Sequence, residues 1–156
     1  MSNKLVAILG ASFVGKSHII HSIINKPFQK YTAYVTIGCK ISNYNYNNID
    51  YSLYDIFPQY SFIENALGWL KNFDFYIFIC DVTNLSSINT IKEYYDLIKP
   101  HKYVIFINKT DIDNMKNINI FLEKLNKSFK NPLIYNTTIK NRCDLIKKFN
   151  KVLNFV

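Results

Sequence analysis

Glycine, proline and cysteine are scarce in this chain of 156 residues, with four, four and three copies. The three cysteines, Cys39, Cys80 and Cys143, are odd in number, far apart and form no CxxC pair. That excludes a disulfide framework and reads as reduced thiols. Arg142 is the sole arginine, so the formal charge of +8 is almost entirely scattered lysine. No stacking platform of aromatics interleaved with basic residues accompanies it, so nucleic acid is not an expected partner. Asn, Ile, Lys, Tyr and Phe are overused; they share A/T-rich codons, and part of the charge is compositional. No apolar run reaches the roughly 18 residues of a membrane span. The longest, Phe73 to Cys80, carries Asp74 and is strand-sized. The segment Leu5 to Leu9 is too short and too closely followed by glycine for a signal peptide. His18, His21 and His101 make no ligand-spaced set, and no Ser/His/Asp or Cys/His arrangement is argued by spacing.

What is present is a core-forming composition, 49% apolar against 19% charged. It excludes pervasive disorder. One cytoplasmic domain over residues 1–156 is expected, and a monomer. Leu5 to Leu9 reads as a buried strand, and Ser17 to Asn25 as a helix with isoleucines at three- and four-residue spacing. Ile37 to Asn45 and Ile49 to Asp55 read as a hairpin around Asn47–Asn48, residues that tolerate positive φ. Glu64 to Asn72 is predicted helical. Phe75 to Asp81 is a near-continuous apolar run of the kind buried on both faces of a parallel sheet. Helices over Ser86 to Lys99, Asn119 to Lys130 and Arg142 to Val156 alternate with strands over Tyr103 to Asn108 and Leu133 to Tyr135. The alternation predicts an α/β fold: a mostly parallel six-stranded sheet with one antiparallel edge strand and helices on both faces. Ligands of such sheets sit outside the carboxyl ends of the strands.

Gly10–Ala11–Ser12–Phe13–Val14–Gly15–Lys16–Ser17 matches G-x-x-x-x-G-K-S, between an apolar strand and a helix. Glycines let successive backbone N–H groups point at phosphate oxygens, and the helix N-terminus adds its dipole. Lys16 would reach the β- and γ-phosphates and the Ser17 hydroxyl would hold Mg²⁺. Asn108–Lys109–Thr110–Asp111 follows a later strand. A carboxylate at Asp111 can accept from the ring N–H and the exocyclic amine of guanine, a donor pair that adenine lacks.

With both motifs in place, the chain resembles the Ras-superfamily small GTPases, and within them the Rab branch, from Lys4 to about Val156. The resemblance implies a P-loop NTPase fold that binds GTP or GDP with Mg²⁺. It implies phosphate-loop contacts from Gly10, Ser12, Phe13, Val14, Gly15, Lys16, Ser17 and His18. Thr36–Ile37–Gly38 is similar to switch I, making Thr36 a magnesium ligand beside Ser17 and Asp55. Phe28 takes the place of the aromatic ring against guanine. Asn108, Lys109 and Asp111 would read the base, with Thr138, Ile139 and Lys140 from the second guanine loop. Asp81–Val82–Thr83 is similar to the Rab D-V-T. Gln59 matches the glutamine that orients the attacking water, so Gln59 and Lys16 are the catalytic candidates. Exchange factors, GTPase-activating proteins and effectors would act through the switch regions.

The pattern breaks at Asp55–Ile56–Phe57–Pro58–Gln59–Tyr60, where Pro58 replaces the switch II glycine. Proline has no N–H to offer the γ-phosphate. Slow intrinsic hydrolysis, and a switch II that responds little to exchange of GDP for GTP, are therefore expected. The alternative is an impaired pseudo-GTPase serving as a scaffold or decoy. Phe13 stands where Rab sequences carry glycine, and the sequence is compatible with a ring facing solvent or lying over the nucleotide. Lys40 replaces an acid of switch I, Tyr54 a common Trp, and Trp69 is expected to pack in the switch II region. The chain ends at Leu153–Asn154–Phe155–Val156 without a C-a-a-X box, so no lipid anchor is evident; either the protein is soluble or a C-terminal tail has been removed, and any membrane contact is expected to be peripheral, through partners.

Overall fold

The computed structural model describes residues 3–25, 38–56, 59–112 and 115–155. The expected switch I positions Thr36 and Ile37, the base-stacking candidate Phe28, and Phe57 and Pro58 lie outside them. Six strands, β1 (Asn3–Leu9), β2 (Cys39–Tyr46), β3 (Ile49–Ile56), β4 (Phe75–Asp81), β5 (Tyr103–Asn108) and β6 (Ile134–Asn136), form one sheet in the order β2-β3-β1-β4-β5-β6. β2 is the antiparallel edge strand and the other pairings are parallel, as the alternation predicted. The hairpin turn falls at Asn47 and Asn48, both left-handed, with φ of 51° and 60°. Positive φ at both central residues matches strand twist in a two-residue turn, and asparagine carries it at low cost.

β4 explains the rest of the packing. All seven of its residues are buried, because helices cover both faces of the sheet. Tyr76, Phe78 and Cys80 point into one apolar cluster with Ile63, Leu70, Ile91, Tyr94, Phe121 and Leu125. These come from helices α2 (Tyr60–Asn65), α3 (Leu67–Leu70), α4 (Ser87–Ile98) and α5 (Met115–Ser128). Phe75, Ile77 and Ile79 point the other way, against Ile19, Ile20, Ile23, Leu145, Phe149 and Val152. Those residues belong to α1 (Lys16–Ile23) and α6 (Arg142–Leu153). The period-two alternation of a strand thus divides one apolar run between two half-cores.

Two helix predictions need correction. The helix expected over Glu64 to Asn72 is two short helices broken at Ala66, whose φ and ψ are −89° and 0°. Asn65 and Gly68 are weak helix formers on either side of the break. The Tyr76 hydroxyl, donating to the Leu70 carbonyl at 2.5 Å, pins the second piece. α5 begins at Met115 rather than Asn119, because buried Ile118 extends the apolar stripe of Phe121 and Leu125 by a turn.

The chain leaves β1 for β3 on one side of the sheet and returns to β4 on the other. The end of β1 is therefore the switch point where ligands of such sheets bind. Among the described residues no helix is long and apolar enough to cross a membrane.

Candidate functional site: a phosphate loop joined to a base-reading loop

The ends of β1, β3, β4, β5 and β6 build the site. After β1 the chain turns through Gly10, with φ of 156°, and Gly15, with φ of 99°. A Cβ on Gly10 would sit 2.2 Å from the Ile79 carbonyl oxygen, and one on Gly15 would sit 2.5 Å from the Asn108 side-chain nitrogen. Neither position can hold a larger residue. The glycines thus let the loop wrap tightly before α1 starts at Lys16, leaving the first-turn amides of α1 directed into the wrap. A cradle of N–H groups closed around a small space suits a phosphate chain.

The Lys16 ammonium is buried at the bottom of this cradle, donating to the Gly10 and Ala11 carbonyls, each at 2.9 Å. Burial lowers it from its ordinary 10.5 to about 8, against the opposing pull of Asp55. Burial and then the neighbouring Lys109 also push the His18 imidazole down, with Asp55 opposing, so it is neutral at neutral pH.

Beside Lys16, the Ser17 hydroxyl donates to Oδ2 of Asp55, a residue of β3 that is 2% exposed. Hydroxyl and carboxylate oxygens are hard donors of the kind Mg²⁺ takes. Among the described residues, no group of three or more His, Cys, Asp or Glu side chains could hold a metal on its own. The Ser17 hydroxyl and the Asp55 carboxylate would be two such ligands for a divalent cation.

Phe13 lies in the same loop with a left-handed φ of 61°, and 67% of it is exposed. A left-handed conformation costs a residue with Cβ about 1–2 kcal/mol, part of which glycine would return as unfolded-state entropy. Phe13→Gly is therefore expected to raise stability by about 0.5–1 kcal/mol, measured by chemical denaturation of nucleotide-free protein. A loss of stability would show that the exposed ring packs on something essential.

The second loop follows β5. Asn108 is buried; its Nδ2 donates to the Val14 carbonyl at 2.9 Å, and its Oδ1 accepts from the Thr137 hydroxyl at 3.3 Å. One side chain thereby ties the phosphate loop to the loops after β5 and β6. Lys109, at a left-handed φ of 63°, places its ammonium 2.5 Å from Oδ2 of Asp81 at the end of β4. Asp111 accepts from the Thr138 hydroxyl at 2.6 Å on Oδ1 and pairs with the Lys140 ammonium at 2.7 Å on Oδ2. The Lys140 bond first, then that from Thr138, holds the Asp111 carboxyl below its ordinary range. Ile139 packs against the half-core of α1 and α6, which accommodates its bulk.

The structure thus brings Gly10, Val14, Gly15, Lys16, Ser17 and Asp55 together with Asn108, and Asn108 with the loops of Lys109, Asp111, Thr138 and Lys140. Gln59 is exposed and opens α2, its carbonyl accepting from the Ile63 amide at 3.1 Å. Trp69 packs edge-on against Phe73 and Tyr54, with ring centroids 4.9 and 5.5 Å apart, and remains 39% exposed. Lys40 lies on exposed β2, its Nζ 3.4 Å from Nε2 of His21. Sequence reasoning missed Thr137 as the bridge from Asn108 to β6, and Asp81 as the partner of Lys109. Asp81 was marked in the sequence by its place at the end of the apolar strand and by the D-V-T resemblance, but its pairing with Lys109 was not, since strand register is absent from a one-dimensional pattern.

A mononucleotide cradle at the switch point of a doubly covered parallel sheet defines a P-loop nucleotide-binding domain. The chain matches the Ras family over residues 4–156, and it belongs to that family: it is a Rab-like small GTPase, a guanine-nucleotide-binding protein of the switch type. It is 27% identical to the Ypt/Rab-type GTPase YPT7 of Saccharomyces cerevisiae, over 94% of this chain and 78% of that protein. In fold it is similar to a bacterial selenocysteine-specific elongation factor, EF-Sec, with a TM-score of 0.79 at 18% identity. That likeness takes in the whole of this chain and only 29% of the factor, and it speaks to fold alone.

Proposed function

We propose that this protein binds Mg²⁺ with GTP or GDP and hydrolyses GTP slowly, as a Rab-like switch in vesicle traffic or signalling. The observation that carries the reading is the bond from Asn108 to the Val14 carbonyl, which joins phosphate loop and base-reading loop into one site. A nucleotide needs both ends held at once, and a phosphate loop alone would take any nucleoside triphosphate.

In this reading Lys16 and the amides from Phe13 to His18 hold the phosphates, and Asp111 with the Thr138–Lys140 loop selects guanine. Ser17 and Asp55, with Thr36 from switch I, hold the cation, which when bound neutralises charge on the phosphate oxygens. Phe28 stacks on the base. Gln59 orients the attacking water. Exchange factors, activating proteins and effectors engage the segments around Thr36 and Gln59, and the protein works as a monomer. A chromatographic assay of nucleotide released from the purified protein, followed by single-turnover GTP loss with and without Mg²⁺, tests the reading. Bound GDP or GTP and a slow magnesium-dependent loss support it; release of adenine nucleotide overturns it.

Slowness is assigned to Pro58, which has no N–H to give the γ-phosphate and fixes its own φ just before Gln59. A misplacement of about 1 Å can cost about 100-fold in rate. Pro58→Gly is therefore expected to raise the single-turnover rate about 10- to 100-fold. An unchanged rate would remove Pro58 as the cause. A second reading, a pseudo-GTPase acting as scaffold or decoy, is favoured by Pro58 and by the exposed Phe13 on the phosphate loop. Tight binding with no GTP loss, even in Pro58→Gly, would select it.

A further inference from the structure

Asp81 has no part in the roles assigned above, yet its carboxylate is fully employed. It is the last residue of β4, only 6% exposed, and sits opposite Asn108 in the β4–β5 register. That register places it beside the residue that precedes Lys109. Oδ2 takes the Lys109 ammonium at 2.5 Å; Oδ1 accepts from the Thr83 amide at 2.9 Å and the Thr83 hydroxyl at 2.7 Å. Lys109 is held in a left-handed conformation that a side chain disfavours. Such a conformation persists only where the surroundings over-determine it. Three contacts do so: the ammonium on Asp81, the Lys109 carbonyl accepting from the Ile112 amide at 3.0 Å, and the Thr110 amide donating to the Thr137 carbonyl at 3.2 Å. Asn108 and Asp111 flank this turn, so the orientation of both depends on it.

We infer that Asp81 is a positioning residue for nucleotide retention: by pairing with Lys109 it holds the Asn108–Asp111 turn in the form that meets the phosphate loop and the base. The inference rests on the guanine-nucleotide site and adds a residue to it. A charge pair with one member buried is strong enough to matter here, because breaking it leaves the other charge uncompensated at the end of the sheet.

Charge and shape can be separated by two substitutions. Asp81→Asn keeps the shape and an acceptor for Thr83 but loses the charge. Asp81→Glu keeps the charge but not the shape. Release of a fluorescent GDP analogue is expected to be about tenfold faster from Asp81→Asn than from the wild type. Asp81→Glu should recover part of that difference. If Asp81 served only to pack and cap its turn, Asn would be silent and Glu the damaging change, and that ranking overturns the inference. Lys109→Met supplies a second route. In the double variant with Asp81→Asn, release should be no faster than in the worse single variant, whereas multiplying effects would show independent roles and also overturn the proposal. A wild-type protein that bound no GDP analogue would overturn the guanine-site reading, and this inference with it. A wild type that binds, with Asn silent, overturns the inference alone.

Discussion

Replacing Lys16 with methionine is expected to weaken guanine-nucleotide binding by about 10²- to 10⁴-fold, the loss of about two charge-assisted contacts of 1.5–3 kcal/mol each. It should also abolish a pH dependence that the wild type shows. Burial takes the Lys16 ammonium from 10.5 down to about 8, a cost of about 3 kcal/mol for keeping it charged in the nucleotide-free fold. The sign follows from proton counts. Between about pH 8 and 10.5 the unfolded chain holds the Lys16 proton and the folded chain has released it. Stability of the nucleotide-free protein therefore rises with pH across that window, and the full cost is present below it. Phosphates favour the charged form. Above about pH 8 binding must then take up a proton, and affinity falls as pH rises. Calorimetric titration at pH 7.0 and 8.5, in buffers of different ionisation enthalpy, measures that uptake. The wild type should take up more protons at the higher pH and Lys16→Met should not; equal uptake by the two proteins would remove Lys16 from the phosphate site.

The second large effect is expected at Asp111. Guanine presents a ring N–H and an amine side by side, and only a carboxylate accepts both. Asp111→Asn sets an amide N–H₂ against one of these donors. The expected loss of GDP affinity is about 10²- to 10⁴-fold, from two hydrogen bonds to a charged group. Xanthine carries an oxygen where guanine has its amine, so it complements the asparagine, and the variant should prefer xanthosine diphosphate to GDP. Thr138 and Lys140 already contact the two Asp111 oxygens, but each carboxylate oxygen has a further acceptor site for the base. The exposed Lys140 pair is worth at most about 1 kcal/mol, so Lys140→Ala should cost far less than Asp111→Asn. Competition between GDP and xanthosine diphosphate for a fluorescent analogue reads the outcome. A preference for GDP undiminished in Asp111→Asn would show that the base is read elsewhere.

Lys16 and Asp111 were both legible as members of short motifs. That Lys16 ends a phosphate loop is local: glycine spacing, an apolar strand before and an isoleucine-rich helix after determine the backbone over eight residues. β4 was equally legible, since a run of apolar side chains without alternation has only a twice-covered place in a sheet. The double-asparagine hairpin was legible because positive φ is written in residue type. The break at Ala66 and the early start of α5 were not, because weak propensities at Asn65 and Gly68, and one buried isoleucine at 118, decide them only when packed.

By itself, then, the sequence determined the motifs, the α/β alternation and the resemblance that led to the family. Only the tertiary structure decided how the motifs cooperate. Asn108 meets Val14 across 94 residues of chain, Ser17 meets Asp55 across 38, and Lys109 meets Asp81 across 28. The depth that lowers Lys16 to about 8 is likewise a product of packing. The physical reason is common to all four. Motif residues are set by short-range backbone geometry, which residue type controls directly. Their partners are set by the order and register of parallel strands, which depend on how two half-cores close around β4.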